Sequence, residues 1–552
     1  MGITDYIKLK TKERRKTLKA DYILTSNIIF TAKTDDPFDG FIAIKDNMII
    51  SVGTREEMQL WIGENTEILE YRDKVIMPGF CDSHIHAFFG AMQIDTINLI
   101  DAVSEEDAVK RLYELYKDRE DNWVIGFGWF HYFWKDKKLP SKHSLDKYFP
   151  HRPVILFNDE MHSAWVNSKA LELCCITRDT PNPAGGKIEK DTMGEPTGYL
   201  LEAAAMKLVT DMAFDISSDK EAKIIEGFFH KAAELGVTSV SDIQILDILK
   251  YQAYESLEKK GKLTARIHFA PSLKKDIKNL IQLKQKYNTE KLKFSGVKEF
   301  IDGTPMAHTG LLIEPYNDIP DFYGHTVIDE CYLREKVKKL DKENIRIRIH
   351  ACGDGAVRLA LDIFEEAQNE NGKKDMRHTI EHIENIHPDD LPRFKELGVI
   401  ASVQPDHLWV EKYDEHPFHY ILGAERNELA WPFKSLMNNG AKMAFGTDFP
   451  ISELNPLLGV YRAVTRLHED KKPPGGWIPK EKLTVVEALK YYTIGSAYQM
   501  FRENDLGTLE SGKLADIVVL DKNIFEVDHE EIRETKVILT MMDGKIIYQK
   551  NK

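Results

Sequence analysis

Eight short β-rich runs, each trailed by a helical stretch, fill the middle of this chain and restrict it to parallel α/β architecture. The candidate strands are Met77 to Asp82, Val237 to Ser241, Ala265 to Phe269, Gly296 to Phe300, Arg346 to His350, His378 to His382, Val399 to Val403 and Lys442 to Phe445. Eight such units predict a (β/α)8 TIM barrel over residues 77–504. The interval from about 120 to 210 fits none of the units and carries strands of its own, so it reads as an insertion after the first strand.

Both ends of the chain read differently. Residues 21–76 hold short strands such as Asn27-Ile-Ile-Phe and Phe41-Ile-Ala-Ile, punctuated by Asp39-Gly40 and Asp46-Asn47. The last stretch repeats the style, with Asp516-Ile-Val-Val-Leu and, after Asp543-Gly544, Lys545-Ile-Ile-Tyr. Short strand groups need partners, so residues 21–76 and 505–552 are expected to form one small β-sandwich domain together. Residues 1–20, basic from Lys8 to Lys19, read as a solvated arm.

Charge and cysteine use narrow the function. Lys plus Arg number 75 against 89 Asp plus Glu, a formal charge of −14, which argues against nucleic acid as a partner. There is no apolar run of membrane-spanning length and no leader-like apolar segment, so no membrane partner is expected. Five scattered cysteines do not resemble a disulfide framework and fit a reducing cytoplasm; adjacent Cys174 and Cys175 read as buried small apolar residues. A small-molecule substrate is the expected partner, with a homodimer left open.

The ionisable residues stand at telling places. His84 and His86 follow the first strand, Lys298 sits near the end of the fourth, His350 ends the fifth, His382 ends the sixth and Asp448 follows the eighth. Active sites of such barrels form at the C-terminal ends of the strands, where residues distant in the chain converge. A lone histidine there is more often a hydrogen-bonded loop residue than a ligand; four histidines and an aspartate at equivalent ends predict a metal site. His84 and His86 are two apart, so in extended chain both point to one face. Neutral imidazoles with a carboxylate suit Zn²⁺, with Mn²⁺, Fe²⁺ or Co²⁺ also open.

These residues also carry a resemblance. Pro78-Gly-Phe-Cys-Asp-Ser-His-Ile-His86 resembles the opening barrel motif of the amidohydrolase superfamily, and Gly507 to Leu520 resembles its closing segment. Trp165-x-Asn167-Ser168-x-Ala170-Leu171, Gly194-Glu-Pro-Thr-Gly198 leading to Glu202, Val297-Lys-x-Phe-x-Asp-Gly303 and Ser402-Val-Gln-Pro-x-His407 narrow it to the YtcJ-like branch, amidohydrolase family 3, which includes N-substituted formamide deformylases. The resemblance implies two Zn²⁺ per chain: His84 and His86 on the more buried ion with Asp448 beside it, His350 and His382 on the second, and Lys298 as a carboxylated lysine bridging both. A lysine ammonium offers no lone pair, so only the carbamate could ligate; the alternative is an unmodified Lys298 paired with Asp302 or another acid.

The implied activity is hydrolysis of a non-peptide carbon–nitrogen bond (amide, N-acyl or N-formyl) by metal-activated hydroxide, with Asp448 as general base and then acid. Two departures leave the substrate open: Asn158 to His162 replaces a usual Arg-x-Asp-Gly-His run, and Thr304 to His308 replaces a small-residue loop with an arginine. Trp123, Phe127, Trp129, Phe130, Tyr132, Phe133 and Trp134 read either as an aromatic wall for an apolar substituent or as the insertion's own core. His162, His308 and His407 are candidates for contacting substrate or an oxyanion. The rivals are a mononuclear deaminase of a heterocyclic base, an ester or lactone hydrolase on the same site, and a non-catalytic relative. Gly353 counts against the deaminase, because it stands where such enzymes place a proton-shuttling Glu, while the filled ligand positions count against the non-catalytic reading.

Overall fold

A computed structural model describes residues 18–159, 161–244 and 248–550. Nearly all of the basic arm expected at residues 1–20 lies outside the described residues, as does Glu160 of the Asn158 to His162 stretch.

The two chain ends meet. Tyr22–Ile29, Phe38–Lys45, Met48–Gly53, Glu67–Glu70 and Val75–Pro78 join Ile517–Leu520, Val537–Met542 and Lys545–Gln549 in one eight-stranded sheet. The seam is antiparallel, Ile517 opposite Pro78 through Leu520 opposite Val75. Alternating residues such as Leu24, Ile42, Ile76, Val519 and Leu539 pack into its core. The expected sandwich therefore takes the form of one connected sheet; its pairing marks no division into two layers.

The strand predicted over Met77 to Asp82 is divided at Gly79. Val75–Pro78 stays in the terminal sheet, and Phe80–Ile85 begins the parallel set. Glycine fits this junction because a Cβ there would stand 2.4 Å from Thr238 Oγ1. The parallel strands are β1 (Phe80–Ile85), β2 (Val237–Ile243), β3 (Arg266–Ala270), β4 (Val297–Phe300), β5 (Ile347–Ala351), β6 (Thr379–His382), β7 (Ile400–Val403) and β8 (Lys442–Phe445). Their side chains are buried almost throughout, as expected of parallel strands covered on both faces. Covering helices show the matching stripe: Ser218–Glu234, N-capped by the Ser217 side chain, buries Ala222, Ile225, Phe229 and Ala232.

These strands lie in two sheets, β1 to β3 with Leu292–Phe294 beyond β3, and β4 to β8. Isolated parallel bridges join the sheets at both seams, Ser272 with Lys298 and Ile85 with Phe449. Backbone bonds accompany them: Lys298 N to Pro271 O at 2.8 Å, and Asp448 N to His84 O and His86 N to Phe449 O at 2.7 Å each. Neighbours thus follow in chain order from β1 to β8 and back to β1, without the continuous ladder of a closed barrel.

Between β1 and β2 the chain builds a separate five-stranded sheet, Lys187–Lys190, Pro196–Leu201, Ser163–Val166, Val154–Asn158 and Val124–Trp129 in spatial order. It has its own core of Leu112, Trp129, Trp134, Leu156, Trp165 and Tyr199. The adjacent cysteines depart from expectation: Cys174 is half-buried and Cys175 exposed, just past the short helix Ser168–Leu173. Among the described residues no helix is long and apolar enough to cross a membrane.

Candidate metal centre

β1 runs on to Ile85, so His84 lies inside the strand and His86 one residue beyond it, both facing one side as their spacing predicts. His86 Nε2 stands 2.9 Å, and His84 Nε2 3.3 Å, from Asp448 Oδ1. Each ring is held by its other nitrogen. His86 Nδ1 lies 2.7 Å from the Ile243 carbonyl oxygen, which can only accept, so Nδ1 carries the proton. His84 Nδ1 lies 2.9 Å from Glu381 Oε2, with the same consequence. Both Nε2 lone pairs therefore face Asp448.

Two buried carboxylates fix this geometry. Glu381 accepts a 2.6 Å bond from Arg348 Nε, and Arg348 Nη2 donates to the Ser83 carbonyl at 2.6 Å. Arg348 and His84 hold the Glu381 carboxyl well below the usual carboxylate range, against the opposing effect of burial. Asp82 accepts from Thr447 Oγ1 at 2.6 Å, Thr447 N at 3.0 Å and His84 N at 3.1 Å, tying β1 to the loop after β8. Burial pushes the Asp82 carboxyl up to about 7 despite these donors.

Asp448 leaves β8 with φ of +60° and presents its second oxygen to another histidine pair. His382 Nδ1 lies 3.8 Å and His407 Nε2 3.6 Å from Oδ2. Burial opposes ionisation of Asp448, yet its carboxyl is held well below the ordinary range because His84 and His86 favour the carboxylate whenever they carry a second proton. Burial and then the Lys298 charge push His84 down to about 4, and burial also lowers His350, His382 and His407. Neutral imidazole is the form that ligates a metal.

His350 and His382 lie close, with ring centroids 4.4 Å apart, but the His350 Nε2 atom points to the Gly303 carbonyl at 3.1 Å and to Cys352 Sγ at 3.3 Å. Three donor groups result, buried but for the part-exposed His407: His84, His86 and Asp448; His382, His407 and Asp448; Asp302, His350 and Cys352. Lys298 lies among them with no hydrogen-bond partner for Nζ, and burial pushes it down to about 8. It is not paired with Asp302, whose oxygens accept from the amides of Leu311, Gly353 and Cys352 at 2.9, 3.0 and 3.1 Å.

The donor set fits divalent cations. His84 Nε2, His407 Nε2 and Asp448 Oδ1 are buried acceptors without a hydrogen-bond partner, a costly arrangement unless something else satisfies them. They belong to two groups of donors that share Asp448, one completed by His86 and the other by His382. Imidazole nitrogen with carboxylate oxygen is chemistry suited to zinc and its neighbours.

The metal groups line a cavity of about 2960 Å³ shared with the insertion. His162, His308 and His407 all line it, with His162 Nδ1 3.0 Å from Glu202 Oε2 and His308 Nε2 2.9 Å from Asp318 Oδ2. Trp129, a candidate for the substrate wall or for the insertion's own core, takes the second place and does not line the cavity. It is fully buried, donates from Nε1 to Leu156 O at 2.9 Å and packs on Trp134 and Trp165. A break in register between Gly126 and Trp129, with Gly128 at φ +82°, re-aims it. Phe130, Tyr132 and Phe133 are the rings that face the cavity. Sequence reasoning missed Glu381, Arg348 and Cys352. The legible signal was opposite charge inside two adjacent, wholly buried strands, Ile-Arg-Ile-His and Thr-Ile-Glu-His.

Known proteins resemble this chain along most of its length. The amidohydrolase family matches residues 71–548. Protein LONG AFTER FAR-RED 3 of Arabidopsis thaliana is 33% identical over 96% of this chain and 92% of its own length. Putative amidohydrolase YtcJ of Bacillus subtilis is 29% identical, covering 92% of this chain and 96% of its own. An N-substituted formamide deformylase of Arthrobacter pascens is 25% identical, covering 92% and 95%. Among solved structures, an uncharacterized metal-dependent hydrolase from Pyrococcus horikoshii superposes with a TM-score of 0.76 at 27% identity, over 92% of this chain and 99% of that one. With a family match across most of its length and relatives covered almost end to end, this chain belongs to the amidohydrolase family, in its YtcJ-like branch.

Proposed function

We propose that the chain is a metal-dependent hydrolase of a non-peptide carbon–nitrogen bond in a small molecule: an amide, N-acyl or N-formyl group. The observation that carries this is the convergence of His84 and His86 on one oxygen of Asp448, at the wall of a large cavity. The two parallel sheets are read as the halves of a (β/α)8 barrel, with the metal centre at the C-terminal ends of its strands. His84, His86, His350, His382 and Asp448 would hold two Zn²⁺, and Lys298, as a carbamate, would bridge them. Bound cations of this kind lower the pKa of water to roughly 7 and polarise a substrate carbonyl oxygen.

The chain's own groups then supply orientation and proton transfer. Asp448 takes the proton of the attacking water and delivers it to the leaving nitrogen, acting as base and then acid. Arg348 and Glu381 keep His84 in one tautomer and one orientation. Burial lowers Lys298, which has no hydrogen-bond partner at Nζ among the described residues, to about 8, and so raises its share of neutral amine, the form that adds CO₂. Support for the carbon–nitrogen bond comes from the formamide deformylase among the relatives. A deaminase is not favoured: Gly353 occupies the position of its shuttle acid and instead begins the helix Asp354–Asn371.

The test is elemental analysis of purified protein together with a panel of N-formyl amines, N-acyl amines, esters, lactones and heterocyclic bases. Metal in the protein with hydrolysis of the formyl or acyl amines is the expected result. Turnover confined to esters or lactones would move the activity to that class, and a metal-free protein inert on the whole panel would remove the enzyme reading.

A further inference from the structure

We propose that His407 is a ligand of a second cation position, built with His382 and the outer oxygen of Asp448, and not a contact to substrate. The inference rests on the metal-hydrolase reading and adds a donor from the loop after β7 to it. Asp448 divides its two oxygens between two imidazole pairs: Oδ1 faces Nε2 of His84 and His86, while Oδ2 faces His382 Nδ1 at 3.8 Å and His407 Nε2 at 3.6 Å. The donor atoms of His382, His407 and Asp448 all lie within 4.8 Å of one another. The rings of His382 and His407 lie nearly parallel, 11° between planes and 5.8 Å between centroids.

Two further observations favour metal over substrate. His407 lines the cavity, but its Nε2 is a buried atom with no hydrogen-bond partner among the described residues, and it stands 3.6 Å from Asp448 Oδ2, on the metal side of the cavity wall. The loop is also fixed from behind. Arg462 Nε donates to Asp406 Oδ1 at 3.1 Å, and His407 N donates to Gln404 O at 3.1 Å. His350, by contrast, has Nε2 turned to Gly303 O and Cys352 Sγ, which leaves His407 the better placed partner for His382.

The experiment titrates chelator-stripped protein with Co²⁺, reading visible absorption and the equivalents retained after gel filtration. Wild type is expected to keep two equivalents, His407→Ala one, and His162→Ala, altered elsewhere in the cavity, two. His407→Cys gives a gain of signal: a thiolate placed on the ion adds an intense near-ultraviolet charge-transfer band, readable even if His407→Ala folds poorly. His407→Ala with the wild-type stoichiometry and spectrum, or His407→Cys without the band, overturns the proposal. A wild type that keeps a single equivalent overturns it too, while leaving the His84–His86 position intact; a wild type that takes up no metal sinks the parent reading instead.

Discussion

Asp448 and Asp302 are both wholly buried and both follow strands of the parallel set, yet they are spent differently. Asp302 has three backbone amides on its oxygens, from Leu311, Cys352 and Gly353, and so stitches the loop after β4 to the one after β5. Asp448 has imidazoles around it and, among the described residues, no hydrogen-bond partner for Oδ1, which His86 Nε2 approaches to 2.9 Å. Burial pushes Asp302 up to about 7, whereas Asp448 is held well below the usual range by imidazoles that can take up a proton beside it. A buried carboxylate whose bonds are closed internally builds the fold. One left open in a ring of lone pairs is available for chemistry.

The sharpest way to break this contrast is to remove each charge with little change of shape. Asp448→Asn should lower turnover by about a hundred- to ten-thousand-fold, the usual worth of a positioned acid–base group, while the melting temperature stays close to wild type. Steady-state kinetics beside a thermal melt reads both. If Asp302→Asn lost turnover as deeply with an unchanged melt, the division of roles would fail. Asp302→Ala should instead act on stability: three amides left unpaired in the interior cost about 1–3 kcal/mol each, so chemical denaturation should show a loss of at least about 3 kcal/mol.

Glu381 tests the middle ground, because it does not line the cavity and meets the site by holding His84 on one oxygen, with Arg348 on the other. Replacing a carboxylate that orients a ligating histidine weakens metal binding by about 10–100-fold. Glu381→Ala is expected to show that loss in a chelator competition, with Glu381→Gln, which keeps an acceptor, losing less. Equal metal affinity in all three proteins would mean that the Arg348–Glu381 pair serves the interior alone.

How much of this was legible depended on parity. The strand ends carrying His84, His86, His350, His382 and Asp448 could be read because parallel strands are apolar until they reach the functional rim, where a polar residue stands out. His84 and His86 obeyed the two-residue period of an extended chain, and both meet Asp448. What failed to show was anything set by the third dimension. Cys352 looks apolar in His-Ala-Cys, Glu381 looks like a prelude to His382, and nothing in Gln-Pro-Asp-His-Leu says that His407 turns toward the second oxygen of Asp448. The insertion defeated parity altogether, since Gly128 at φ +82° breaks the alternation between Phe127 and Trp129.

The same contrast between closed and open groups separates the aromatic residues, with smaller effects. Trp129 has its Nε1 bonded to Leu156 O and its faces covered by Trp134 and Trp165, whereas Tyr132 is 59% exposed and lines the cavity. Trp129→Phe removes one buried hydrogen bond and should cost about 1 kcal/mol of stability without altering KM. Tyr132→Ala should leave stability within about 0.5 kcal/mol, as surface changes do. An aromatic contact is worth about 0.5–1.5 kcal/mol, so that variant should raise KM for substrates with an aromatic substituent by about 2–10-fold. Substrates bearing only a methyl group should be unaffected, because a ring at the cavity wall has nothing on them to touch. A KM that rose equally for both kinds would assign Tyr132 to the shape of the cavity mouth and not to recognition of the substituent.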